Sequence, residues 1–157
     1  MKKAVTIVMV FLSVLALTAL TESTPPVGGR VRADVPISGG FEPYMDRFTK
    51  LMEDNDITID WSKISSINVV PLQNGIQGLY NTKTLVILIQ PYQYRTLTKQ
   101  AYDNILFAIL AHEIGHSQGF EHTLESGKLM SVDDIGIYEI INNDKLIEKL
   151  ILEAYIK

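Results

Sequence analysis

The sequence predicts an α/β fold of the α+β layer kind, a small sheet backed by helices, and three observations point there. Within a long helix expected at 97–117, residues 105–111 are apolar over most of the helix surface, as in a buried central helix. Residues 84–90, Thr-Leu-Val-Ile-Leu-Ile-Gln, form a continuous aliphatic run suited to a central strand. The segments follow in the order strand, helix, three or four strands, helix, turn, helix, which is the order of a layered domain.

Each element has its own signal. Residues 31–37 alternate loosely and are expected as the first strand, broken by Ser38-Gly39-Gly40. Residues 41–54 read as a helix, since Pro43 suits a first turn and Tyr44, Phe48, Leu51 and Met52 recur at helical spacing. Residues 57–61 alternate as a strand should, and 66–72 form a β-branched run closed by Pro71. Residues 75–81 are a weak strand bounded by glycine. Residues 91–96 form a loop with Tyr92 and Tyr94. Residues 122–137 are irregular. Residues 144–155 are an amphipathic closing helix with Leu146, Ile147, Leu150, Ile151 and Ala154 on one face.

The start of the chain sets the context. Met1-Lys2-Lys3 precedes a stretch without charge from Ala4 to Leu20, so residues 1–20 are expected to be a signal peptide cleaved near 19–23. The alternative is an N-terminal membrane anchor, for which this stretch is at the short end. Residues 21–30, rich in Pro and Gly, read as a linker, and 31–157 as one domain. An exported protein is therefore expected: secreted, periplasmic or at the cell surface, with no stable membrane association once the signal is removed. The absence of cysteine is compatible with export, because a domain of roughly 130 residues can bury enough surface without disulfides. The formal charge of -4 becomes -6 without Lys2 and Lys3, which leaves no basic footprint for nucleic acid. The acidic pairs around Glu53-Asp54 and Asp133-Asp134 read as solvated surface. Oligomeric state has no signature here.

All three histidines fall in the window His112-Glu113-Ile114-Gly115-His116-Ser117-Gln118-Gly119-Phe120-Glu121-His122. The pattern is H-E-x-x-H-x-x-G-x-x-H. On a helix, His112 and His116 stand one above the other and can offer nitrogens to one ion at about 2 Å. Glu113 lies beside that ion without ligating it, the place for a general base acting on a zinc-bound water. Gly119 can end the helix in a left-handed turn, so that the reversed chain brings His122 in as third ligand. A fourth position open to water marks a catalytic site.

The stretch 111–117 resembles the zinc helix of the metzincin metallopeptidases, the matrixin branch in particular. Leu129-Met130-Ser131, with Met130 eight residues after His122, is similar to the methionine turn of that family. The resemblance implies a metzincin-like catalytic domain: a small, twisted, mostly parallel sheet with an antiparallel edge strand, a zinc helix and a C-terminal helix. It places residues 75–81 at the sheet edge above the metal, and Met130 as an apolar floor under the ligands. It implies a zinc metalloendopeptidase acting on peptide or protein substrates held by strand addition. The pocket beside the metal would be walled by the zinc helix and residues 131–137.

The chain also departs from the family. Matrixins hold a second, structural zinc with further histidines, and none is left over here. One catalytic zinc and no structural zinc are expected. Calcium is left open, no loop having the spaced carboxylates of an EF-hand. Without cysteine the family's thiolate latch cannot operate, and the relatives with a cysteine-rich second zinc site are excluded. Residues 31–36 echo the latch peptide faintly, with Ala33 in the thiol position and Asp34 as an alternative cap. Val132 stands where some branches carry a tyrosine ligand. Tyr92, Tyr94 and Tyr138 are candidates for stabilising a tetrahedral intermediate. The competing reading is a non-catalytic zinc-containing domain that binds peptide or protein, against which Glu113 argues.

Overall fold

The computed structural model describes residues 35–73, 75–91, 97–131 and 140–156. The signal and linker, Asp34, most of the expected first strand, Tyr92, Tyr94, Tyr138 and the pocket wall 132–137 lie outside the described residues.

Helix α1, Glu42–Glu53, starts one residue after Phe41 with Pro43 in its first turn, and buries Met45, Phe48 and Met52. Asp56, at φ 57°, closes it, and the Ile57 N–H returns to the Met52 carbonyl at 2.9 Å. Helix α2, Lys99–Ser117, is capped by Thr98, whose hydroxyl accepts from the Ala101 N–H at 3.1 Å. Residues 104–115 are buried without interruption, which makes α2 the central helix. It packs on strands of the sheet and on the two other helices. Helix α3, Asp144–Tyr155, is capped by Asn143.

The sheet is mixed and three-stranded, in the order β1 (Ser66–Val69), β3 (Val86–Ile89), β2 (Gly78–Asn81). β1 and β3 run parallel, while β2 and β3 form an antiparallel hairpin. The run at 84–90 is central as expected, and 78–81 is the antiparallel edge strand. Ile67, Ile87 and Ile89 are fully buried on one sheet face. Of the expected first strand, Ile37 forms a single parallel bridge to Ile67.

The structure shifts three boundaries or faces. Residues 57–61 are not a strand. The Asp60 N–H donates to Gln118 Oε1 at 2.9 Å, and its carboxylate caps a 3-10 turn at Trp61–Lys63. The alternation there is genuine, since Ile59 is buried, but the polar backbone is matched by a helix end instead of a strand. Thr84 and Leu85 belong to the hairpin turn. Leu85 has φ 57°, and the Asn81 side chain accepts from the Lys83 and Thr84 amides. On α3, Leu146 faces solvent at 41% exposure, and Tyr155 takes the inward place.

A polar cluster joins the three helices. Arg47 donates to Asn104 Oδ1 at 2.9 Å and to Glu148 at 3.0 Å, with its guanidinium 4.2 Å from the Phe107 ring centre. Buried Asn104 donates in turn to the Ile141 carbonyl and to Asp144, both at 2.8 Å. At the other end of α2, the buried Tyr155 hydroxyl donates to the Ala111 carbonyl at 2.6 Å. Among the described residues no helix is long and apolar enough to cross a membrane.

Candidate metal centre

The last two turns of α2 carry His112, Glu113 and His116, and the chain after them brings back His122. The reversal is a Schellman turn. The Gly119 N–H bonds to the His116 carbonyl and the Phe120 N–H to the Gly115 carbonyl, both at 3.0 Å. Gly119 has φ +91°, a conformation that L side chains rarely adopt. Nothing lies within 4 Å of where its Cβ would stand, so Gly119→Ala meets only backbone strain. We expect it to cost about 1–2 kcal/mol in denaturant unfolding and to weaken metal binding, since His122 follows the turn. An unchanged unfolding midpoint would mean that the turn does not depend on glycine.

The three Nε2 atoms converge. His112 lies 3.0 Å from His116 and 3.2 Å from His122, and His116 lies 3.0 Å from His122. Three ligands on one tetrahedral ion at ordinary zinc–nitrogen distances would be separated by about 3.3 Å. Tautomers strengthen the fit. His112 Nδ1 is 2.6 Å from the Leu129 carbonyl, and His116 Nδ1 is 2.9 Å from the Phe120 carbonyl. A carbonyl only accepts, so each Nδ1 carries the proton and each Nε2 presents a bare lone pair. Two such lone pairs facing each other at 3.0 Å cannot hydrogen-bond, whereas a cation between them is bound by both. Metal-ligating imidazoles are commonly oriented by this kind of backbone contact.

Burial holds the imidazoles neutral. It lowers His112 to about 3, with the neighbouring histidines adding to the effect and the Leu129 carbonyl opposing it. His116 and His122 are also lowered, chiefly by desolvation. Neutral imidazole is the form that ligates metal. His112 is buried, His116 half-buried and His122 exposed, so the site opens to solvent on the His122 side.

These are the only His, Cys, Asp or Glu side chains among the described residues that gather into a group able to hold a metal ion. No protein-family model, curated protein or solved structure matches the chain. The resemblance to metzincins therefore stands on the motif, and the three converging imidazoles give it a site compatible with one zinc ion.

Glu113 is outside that group. It is 2% exposed, and burial pushes its carboxyl up to about 8, with the Tyr80 backbone amide pulling the other way. Met130 is buried beneath α2, its Sδ 3.0 Å from where a Gly115 Cβ would be, with the Phe120 ring equally close. Its carbonyl accepts from the Thr123 N–H at 2.8 Å, next to His122. The backbone of residues 129–130 thus contacts His112 at Leu129 and, at Met130, the residue that follows His122.

Sequence reasoning missed several of these supports. The Leu129 and Phe120 carbonyls leave no side-chain signature. Gly115 could have been suspected, since an interior helical glycine costs stability and tends to mark close packing. Gly78 and Tyr155 had no signal that separates them from ordinary strand and core residues.

Proposed function

We propose that the protein is an exported zinc-dependent endopeptidase that hydrolyses peptide bonds of extended polypeptide substrates. The observation that carries this reading is the triangle of converging Nε2 atoms, with a buried carboxylate outside it one residue from His112 on the same helix. His112, His116 and His122 would hold the ion, which when bound would supply a Lewis acid for the scissile carbonyl and acidify a water. Glu113 accepts the proton of that water during attack and delivers it to the departing amine.

Strand β2 supports the substrate class. The Gln90 N–H bonds to the Gln77 carbonyl, and Gly78 pairs with Ile89. In an antiparallel ladder this register turns the backbone groups of Gly78 and Tyr80 away from β3. No other strand borders that edge among the described residues. An extended peptide laid there would gain affinity from main-chain bonds to groups other than the Tyr80 amide, which acts on Glu113, with little sequence preference.

The test is digestion of a diverse peptide pool by the zinc-loaded protein, with new termini mapped by mass spectrometry. Cleavage that stops on chelation and returns with zinc is the expected result. One bound zinc per chain with no new termini would favour the peptide-binding reading.

A further inference from the structure

Gly78, the first residue of β2, lies outside the left-handed region, so its conformation does not call for glycine. Space does. A Cβ at Gly78 would stand 2.4 Å from Glu113 Oε1, 2.7 Å from Cγ and 2.8 Å from Cδ. Optimal non-bonded carbon contacts are about 3.5–4.0 Å. The carboxylate of Glu113 therefore fills the volume that any side chain at position 78 would need. Glu113 is thus enclosed by its own helix and by the backbone of the edge strand.

We propose that β2 positions Glu113, with Gly78 acting through its missing side chain, so that Gly78 is a positioning residue for the hydrolysis. A free glutamate samples several rotamers. Enclosure by β2 selects one, and small misplacements of a reacting group carry large rate penalties. The strand offered to the peptide and the strand that holds the base are one and the same. A substrate registered on that edge is therefore registered to Glu113. The kinetic part of this proposal rests on the peptidase reading, while the packing part does not.

A double-mutant cycle tests it on the full chain, with wild type, Gly78→Ala, Glu113→Ala and the double variant. Gly78→Ala is expected to lower the thermal midpoint by roughly 4–8 °C when Glu113 is present. In the Glu113→Ala background the loss should shrink to less than half. Metal content should stay at that of wild type. With Glu113 present, kcat should fall at least about tenfold while KM changes little. Should Gly78→Ala fail to fold, folding of the double variant supports the proposal. Equal thermal losses in both backgrounds, a double variant that fails to fold as well, or an undiminished kcat overturns it. A wild type that cleaves nothing would sink the peptidase reading, and the thermal cycle would still decide whether β2 holds Glu113.

Discussion

Replacing Glu113 by glutamine is expected to lower kcat by about 10²–10⁴-fold, the usual contribution of a general acid–base group. The amide keeps the shape of the side chain, so it still fits against Gly78. What it loses is the ability to accept a proton. Glu113 does not converge with the three imidazoles, so zinc should remain at one per chain and KM should move little. Stability should not suffer either. Burial disfavours the carboxylate, and the glutamine amide is neutral at every pH. Single-turnover cleavage with metal analysis of the same sample is the direct measurement. Activity within a few-fold of wild type would remove Glu113 from the role of base.

Removal of the metal should have the second large effect. Chelation is expected to abolish cleavage and to lower stability by about 4 kcal/mol relative to protein with free zinc a thousandfold above its dissociation constant. The metal-free protein should also show a distinctive pH dependence. Glu113 has a folded value raised from 4.5 to about 8. The folded state then binds a proton that the unfolded chain has released, so stability falls as pH rises through this window. Between pH 6.5 and 8 the histidines, neutral in the fold, still shed protons in the unfolded chain and oppose this loss, so Glu113 acts nearly alone only above about pH 7.5, where the loss is below about 1 kcal/mol. At the acid end the sign reverses. His112 is lowered from 6.5 to about 3, so the unfolded chain takes up a proton that the folded state refuses. Below pH 4.5 Glu113 is protonated in both states, and stability should fall as pH drops toward 3. Denaturant titrations of chelated protein at pH 3.5, 7.5 and 9 check both limbs. A metal-free protein that gains stability from pH 7.5 to 9 would show that Glu113 ionises freely in the fold.

Much of this centre was legible because spacing on a helix is geometry. His112 and His116 at i and i+4, Gly119 after the last turn and His122 beyond it dictate convergence with little help from the rest of the fold. The central helix and the central strand were legible for a related reason: their apolar runs admit few other environments. The misreadings share a cause as well. Residues 57–61 carry the alternation of a strand, but alternation reports burial and not the partner of the backbone, and here that partner is Gln118. On α3, Leu146 and Tyr155 both fit the helical period at opposite ends of the element, and only the position of α2 decides which is covered. Gly78 was opaque because its reason lies on another element, in the room taken by Glu113.

The ligands divide unequally between rigid and loose structure. Two ride on a helix buried in the core, while the third sits on a surface segment joined to it by Gly119 and moored at Thr123 to the methionine turn. An ion that bridges the two works as a clasp. Letting it go requires this short segment to swing about its glycine hinge and leaves the helix intact. In the proposed zinc form, release of the ion would call for opening of this segment and not of the helix, so hydrogen exchange of the amides around His122 would register it first.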